Sequence, residues 1–343
     1  MRGTPDGLIL VTGASGFLGS ELQRVFQILL NRGFRVRGTV RSQEKLDHVR
    51  ARYPDLEKLE IEIVEDIASA GTVENALESV TGVIHVASPF FVNPKNNEKD
   101  LLRPAIDGTL NILNAAARTS SVRRVVITAT MATMSHIGSG PIPGKIYTEL
   151  DWNPVTWDEA VNSLDGHYIY CAGKTFAEQA AWKFMEVEQP SFDLISINPA
   201  WLIGPFLHQV DESSKFNESL RECYENIVRK DKSLPPTIVQ YWVDVRDAAK
   251  AHIMALEDPV ANGRYLVVNR HKFDWKKAFN GIRNRFPERH FPYGNEDYYV
   301  QSRPDVDPSK SEKQFGFGWT PLSKSFGDFC AQIYRLQEKG ILV

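Results

Sequence analysis

The chain has 343 residues, 42% of them hydrophobic and 24% charged, with a formal net charge of -3. This length and apolar content suit one large α/β domain with a smaller lobe, and the charge balance gives no electrostatic pull towards nucleic acid or an anionic membrane. Cys171, Cys223 and Cys330 are far apart with no CxxC spacing, which supports neither a metal site nor a disulfide framework and points to a reducing compartment, the cytoplasm.

The first apolar run, Leu8-Ile9-Leu10-Val11, passes straight into glycines. It is too short for a signal peptide or a membrane span and reads as a buried strand over 8–12. Helical spacing follows over 19–31, with Leu22, Val25, Phe26 and Leu29 on one face and Gly33 as the terminator. Strands are expected at 35–40, 61–64, 83–87, 124–130 and 192–198, and amphipathic helices at 101–118 and 170–188. Such β-α alternation predicts a Rossmann-type, doubly wound parallel sheet. Beyond Pro199 the pattern loosens into strands at 241–245 and 265–269 and helices at 246–257, 275–286 and 324–338. The expected organisation is a dinucleotide-binding domain over 1–200, to which elements near 238–257 return, and a substrate lobe drawn mostly from 201–343.

Thr12-Gly13-Ala14-Ser15-Gly16-Phe17-Leu18-Gly19 places glycines at GxxGxxG between a strand and a helix. Gly13 and Gly16 would let the backbone turn and approach a pyrophosphate, Gly19 would let the helix sit close to the sheet, and the helix N-terminus supplies N–H donors. Further on, the end of the second strand carries no acidic residue to hold a ribose 2′-OH. Arg41 follows it instead, with Lys45 one helical turn later. A guanidinium there suits a 2′-phosphate and favours NADPH over NADH; the bland alternative is two solvated charges. Asp66, before Ile67, is placed either to meet an adenine amino group or to cap its own turn. Ala87-Ser88-Pro89 closes the fourth strand with small residues that would permit contact with a cofactor.

Tyr170-Cys171-Ala172-Gly173-Lys174 puts a tyrosine and a lysine at i and i+4, on one face of a helix. A tyrosine hydroxyl is too weak an acid to work well at neutral pH, and a neighbouring ammonium is expected to lower its pKa. Cys171 reads as a small buried residue.

Together with HVASPF (85–90), INPAWLIGP (197–205), KTFAEQAAW (174–182) and YWVDVRDAAKAH (241–252), these motifs make the chain resemble an extended short-chain dehydrogenase/reductase over nearly its whole length. Within that family it is similar to the fungal NADPH-dependent aldehyde and ketone reductases. The resemblance implies hydride transfer to a carbonyl, with Tyr170 as general acid and Lys174 also binding the cofactor. Thr128 and Pro199 are added to the cofactor contacts. Two departures stand out. The family's catalytic serine falls at Thr130, within Thr128-Ala129-Thr130, which keeps a hydroxyl; and Asp107 replaces a common asparagine, which puts any proton-relay role there in doubt. The implied pocket walls are Phe90, Met131, Ser135, His167 and Trp201, mostly bulky and suited to a small hydrophobic or aromatic carbonyl compound; each also reads as packing. The expected assembly is a monomer or homodimer. A nucleotide-sugar epimerase or dehydratase of the same fold would need basic groups for a diphosphate, with Arg221, Arg264, Arg283 and Arg303 as the available arginines. A regulator that binds NADP without turnover usually lacks the tyrosine or the lysine.

Overall fold

A seven-stranded parallel sheet organises the chain. In the computed structural model the described residues are 7–14, 29–53, 57–88, 94–135, 142, 144–207, 216, 218–229, 233–293, 298–300, 303–316 and 318–342. The sheet strands are β1 (Leu8–Thr12), β2 (Arg35–Val40), β3 (Leu59–Ile63), β4 (Val80–His85), β5 (Arg124–Thr128), β7 (Asp193–Pro199) and β10 (Gly263–Val267). Their order is β10-β7-β5-β4-β1-β2-β3, with every neighbouring pair parallel. The order reverses at β1, so a crevice opens beyond the carboxyl ends of β1 and β4, where such sheets bind ligands.

The apolar strands read as near-continuous runs because both faces of the sheet are covered. Alternate residues go to opposite sides. Leu8, Leu10, Val83, Val125 and Leu194 pack with residues of α2 (Arg103–Arg118) and α4 (Gly166–Glu188). Ile9, Val11, Ile84, Val126 and Ile195 pack instead with α6 (Val245–Glu257) and the C-terminal helices α7 (Trp275–Ile282) and α9 (Leu322–Glu338). Local chemistry fixes the helix starts. Asp165 accepts from the amides of His167 and Tyr168 at the head of α4, and Asp244 accepts from Arg246 at the head of α6. The start of α4 at Gly166 lies one turn before the expected 170, which sets Tyr170 in the second turn of a regular helix.

Smaller elements complete the chain. Helix α1 (Gln43–Arg52) follows β2 and is capped by Ser42. β6 (Ile146–Tyr147) pairs with β11 (Asp305–Val306), and β8 (Trp201–Ile203) with β9 (Trp242–Asp244). Further helices among the described residues are α3 (Trp157–Asn162), α5 (Glu218–Val228) and α8 (Ser309–Phe315). The strand expected at 241–245 is thus β9, outside the central sheet, whereas β10 forms that sheet's edge. Among the described residues, no helix is long and apolar enough to cross a membrane.

Candidate active site

The strand ends at the crevice are tied together by buried hydroxyls and imidazoles. Thr12 Oγ1 accepts from the amides of Val86 and Ala87 at 3.1 and 3.2 Å and lies 2.8 Å from His85 Nδ1. With its oxygen accepting twice, the hydroxyl gives its proton to Nδ1, which leaves the imidazole hydrogen on Nε2. Burial, with the Lys174 charge acting in the same direction, pushes His85 down to about 3, so the ring is neutral. This bond locks β1 to β4 at the crevice. Gly13 then turns with φ +71°, and a Cβ there would fall 3.0 Å from the backbone of Ala87; glycine meets both demands at once. The amides of Gly13 and Ala14 both bond Thr39, through its hydroxyl and carbonyl. Ser15, Gly16, Phe17, Leu18 and Gly19 lie outside the described residues, as do Pro89 and Phe90.

Of the basic residues at β2, Arg37 is engaged by the fold. Its guanidinium bonds Glu60 and the carbonyls of Ala76 and Glu78. Arg41 is exposed just past the strand, and Lys45 is half-buried in α1. The Asp66 carboxylate accepts from the Ser69 hydroxyl at 2.6 Å and the Ala68 amide at 2.9 Å, which holds its pKa below the ordinary aspartate value. These contacts make it a cap of its own turn, one of the two roles read from sequence. Ile67 packs towards Gly108 of α2.

Tyr170 and Lys174 lie four residues apart on α4, whose packing runs along α2 and the short turn Met131–Thr133. Lys174 Nζ donates to the Thr128 carbonyl at the end of β5, at 2.7 Å. Burial lowers the lysine to about 8, with Glu178 acting in the opposite direction. The expected depression of Tyr170 is not what the structure shows. Burial, followed by Cys171, pushes its hydroxyl above the ordinary tyrosine value, because desolvation disfavours the charged phenolate. The Cys171 thiol is buried and pushed up to about 12, as an inert packing residue would be.

Two threonines at the end of β5 have different surroundings. Thr128 Oγ1 lies 2.7 Å from His252 Nε2, and the other ring nitrogen, Nδ1, donates to the Ala248 carbonyl at 2.7 Å. That bond fixes the tautomer, so Thr128 donates to Nε2, and burial keeps His252 neutral by lowering it to about 4. Thr130 is half-buried in extended backbone at the head of the Met131–Thr133 turn. Its hydroxyl accepts from the Ala132 amide at 3.3 Å and donates to the Pro199 carbonyl at 3.4 Å, both long contacts. A water-sized cavity lies behind Lys174, between His85, Thr109, Thr128 and Glu178.

The expected pocket walls are spread around this edge. Met131 and Ser135 are half-buried, and Ser135 Oγ sits 3.5 Å from the Met131 carbonyl. His167 is exposed, with Nε2 3.8 Å from the Cys171 sulfur. Trp201 is half-buried and meets Phe273 and Trp275 edge-on at 5.0 and 6.1 Å, so part of its ring serves the core. Asp107 is exposed on α2, while Asn111 one turn later bonds the carbonyls of Ile67 and Ala68. Sequence reasoning assigned no role to His85, Thr133, Glu178, Asn198 or His252, and considered Arg264 only as a possible diphosphate ligand. A histidine inside an apolar strand and a glutamate one turn past Lys174 were the available signals.

Residues 9–269 match the NAD dependent epimerase/dehydratase family. The chain is 40% identical over 285 residues to a putative uncharacterized oxidoreductase of Schizosaccharomyces pombe, covering 82% of this chain and 83% of the relative. It is 35% identical to a putative NADPH-dependent methylglyoxal reductase of Candida albicans, covering 95% and 98%. The fold is similar to the crystal structure of yeast methylglyoxal/isovaleraldehyde reductase Gre2 complexed with NADPH, with a TM-score of 0.85, 27% identity, and 97% and 99% of the two chains covered. The chain belongs to the NAD dependent epimerase/dehydratase family, that of the extended short-chain dehydrogenases/reductases.

Proposed function

We propose that the protein is an NADPH-dependent reductase that converts an aldehyde or ketone to the alcohol, with Tyr170 as general acid assisted by Lys174 and Thr130. The observation that carries this reading is the Lys174–Thr128 bond, which anchors the Tyr170 helix to the strand edge where Thr130 emerges. Relatives named as NADPH-dependent reductases across nearly the whole chain support it. NADPH, when bound, supplies the hydride.

The chain's own residues do the rest. Gly13, Ser15, Gly16, Phe17, Leu18 and Gly19 are the residues that would hold the pyrophosphate; the left-handed turn at Gly13 and the small side chains of Ala87 and Ser88 fit such a ligand. Asp66 and Ile67 would meet the adenine, and Pro89, Thr128 and Pro199 would meet the nicotinamide side. Lys174 has donors beyond the one given to Thr128 and can hold a ribose. Tyr170 keeps its proton until charge builds on the substrate oxygen, then transfers it. Thr130 turns its weakly held hydrogen from Pro199 to that oxygen. Phe90, Met131, Ser135, His167 and Trp201 wall a pocket for a small hydrophobic or aromatic carbonyl compound.

The epimerase alternative loses two of its arginines to the fold. Arg264 bonds Glu178, and Arg283 bonds the carbonyls of Phe291 and Pro292. The direct test of the reductase is a panel of methylglyoxal, isovaleraldehyde and acetophenone with purified protein, followed by loss of NADPH absorbance. Turnover of at least one, with alcohol formed in equal amount, is expected. No oxidation across the panel and its aliphatic and aryl homologues would refute the reading.

Cofactor choice gives a second expectation. Exposed Arg41 and neighbouring Lys45 are the groups for a 2′-phosphate. Arg41→Asp removes a charge-assisted contact of about 1.5–3 kcal/mol, so kcat/KM for NADPH falls roughly 10- to 100-fold while that for NADH holds or rises. An unchanged ratio of the two values would remove Arg41 from the site.

A further inference from the structure

One buried ion pair joins four elements beneath the candidate site. Glu178, 1% exposed, stands on α4 one turn beyond Lys174, and Arg264, 8% exposed, stands on the edge strand β10. Arg264 Nε donates to Glu178 Oε1 at 2.8 Å and Nη2 to Oε2 at 3.1 Å. The remaining arm, Nη1, reaches the carbonyls of Glu149 and Asp151 at 2.9 and 2.6 Å, and the guanidinium stacks on Trp152 at 3.7 Å.

The pair is continued into the turn after β5. Thr133 Oγ1 lies 2.5 Å from Glu178 Oε2 and 2.9 Å from the Thr130 carbonyl. It has one hydrogen, and the shorter bond to the carboxylate is the stronger. The same hydroxyl accepts from Arg264 Nη2 and Asn198 Nδ2, both at 3.0 Å. Asn198 also donates to Glu178 Oε2 at 2.9 Å and contacts the Thr130 carbonyl at 3.4 Å, while its own oxygen accepts from Ser196. A buried ion pair offers no assured stability over an apolar core of the same volume. What this one provides is a fixed separation between the helix bearing Tyr170 and Lys174 and the turn bearing Thr130.

We propose that Glu178 and Arg264, acting through Thr133, are positioning residues that hold the Thr130 turn in register with the Tyr170/Lys174 helix. This rests on the reading above that Thr130 binds the substrate oxygen. The brace touches neither substrate nor cofactor, so its effect falls on kcat and leaves cofactor affinity alone.

The test uses the full-length protein and the panel compound it reduces fastest. Thr133→Val keeps the shape and removes the hydroxyl; kcat should fall about 10- to 100-fold, the scale of a small misplacement of reacting groups, with NADPH Kd unchanged by fluorescence titration. Thr133→Ser, which keeps the hydroxyl, restores most of the rate. In a Thr130→Ala background, Thr133→Val should cost almost nothing more, because the two act along one route. Arg264→Lys keeps the charge beside Glu178 but loses the fork that reaches Thr133. It should repeat the pattern and serves as the second variant if Thr133→Val does not fold. A parental kcat in the folded variants, or an undiminished loss in the Thr130→Ala background, overturns the brace. If Thr130→Ala itself runs at the parental rate, the assignment of Thr130 fails instead, whatever Thr133 does.

Discussion

Tyr170→Phe is expected to lower kcat by about 10²- to 10⁴-fold, the usual contribution of a positioned general acid, with NADPH Kd nearly unchanged. The ring remains to pack, so the variant should fold; what it lacks is the proton. In reduction the tyrosine starts protonated, and its desolvated surroundings hold the proton firmly. That does not impede transfer, because hydride adds to the carbonyl carbon and the oxygen left with the electron pair becomes an alkoxide, a far stronger base than a phenolate. The lysine decides how readily the phenolate left behind is tolerated. Burial brings Lys174 down to about 8, so the ammonium is present below that pH and is lost as pH rises through it. The rate should therefore fall on the alkaline side of about pH 8, and Lys174→Met should be slow throughout and lack that limb. A pH–kcat profile for the three proteins checks both expectations. Parental turnover by Tyr170→Phe would end the mechanism.

The parts of this site that could be read from sequence are those encoded by short-range spacing. GxxGxxG after an apolar run, and a tyrosine four residues before a lysine, are local patterns whose geometry follows from one strand or one helix. The strands of the central sheet are legible for a similar reason: β1, β5 and β7 are short, mostly apolar runs, and their position in the β-α alternation leaves few topologies. Helix α1 escaped because its sequence, QEKLDHVRAR, has little apolar periodicity; Leu46 and Val49 are its buried anchors. β6, β8 and β11 are two or three residues long and exist through partners distant in the chain, so no local pattern announces them.

The supporting network was illegible for a deeper reason. Four residues after Lys174, Glu178 looks like an ordinary i,i+4 surface partner. Its true partner stands 86 residues on, and its burial is a product of the sheet edge closing over α4. Likewise Lys174 invited the expectation of a lowered tyrosine pKa, but the ammonium's direction towards Thr128 depends on where β5 ends. Trp201 shows the same limit in another form. Its aromatic bulk suited a pocket wall, and the fold sets that ring edge-on against Phe273 and Trp275 as well.

Thr130→Ala is expected to lower kcat about 10²- to 10³-fold, some 2.7–4 kcal/mol, which is typical for loss of one oxyanion donor. The structure explains why this hydroxyl can be called upon. Thr128, two residues earlier, has its hydrogen committed to His252 at 2.7 Å, whereas Thr130 offers its own to Pro199 across 3.4 Å. Redirecting it to a developing negative charge exchanges a poor neutral bond for a charge-assisted one. The extended backbone at Thr130 and the turn that follows hold the hydroxyl at the strand edge, and the β-methyl restricts χ1 further. Thr130→Ser keeps the donor with more rotamer freedom, so it should retain most of the rate. Thr130→Val keeps the branched shape and removes the donor, so it should match alanine. Steady-state kinetics on the three variants separate the hydroxyl from the packing: if valine were as active as serine, the side chain would act by shape, and the oxyanion role would be withdrawn.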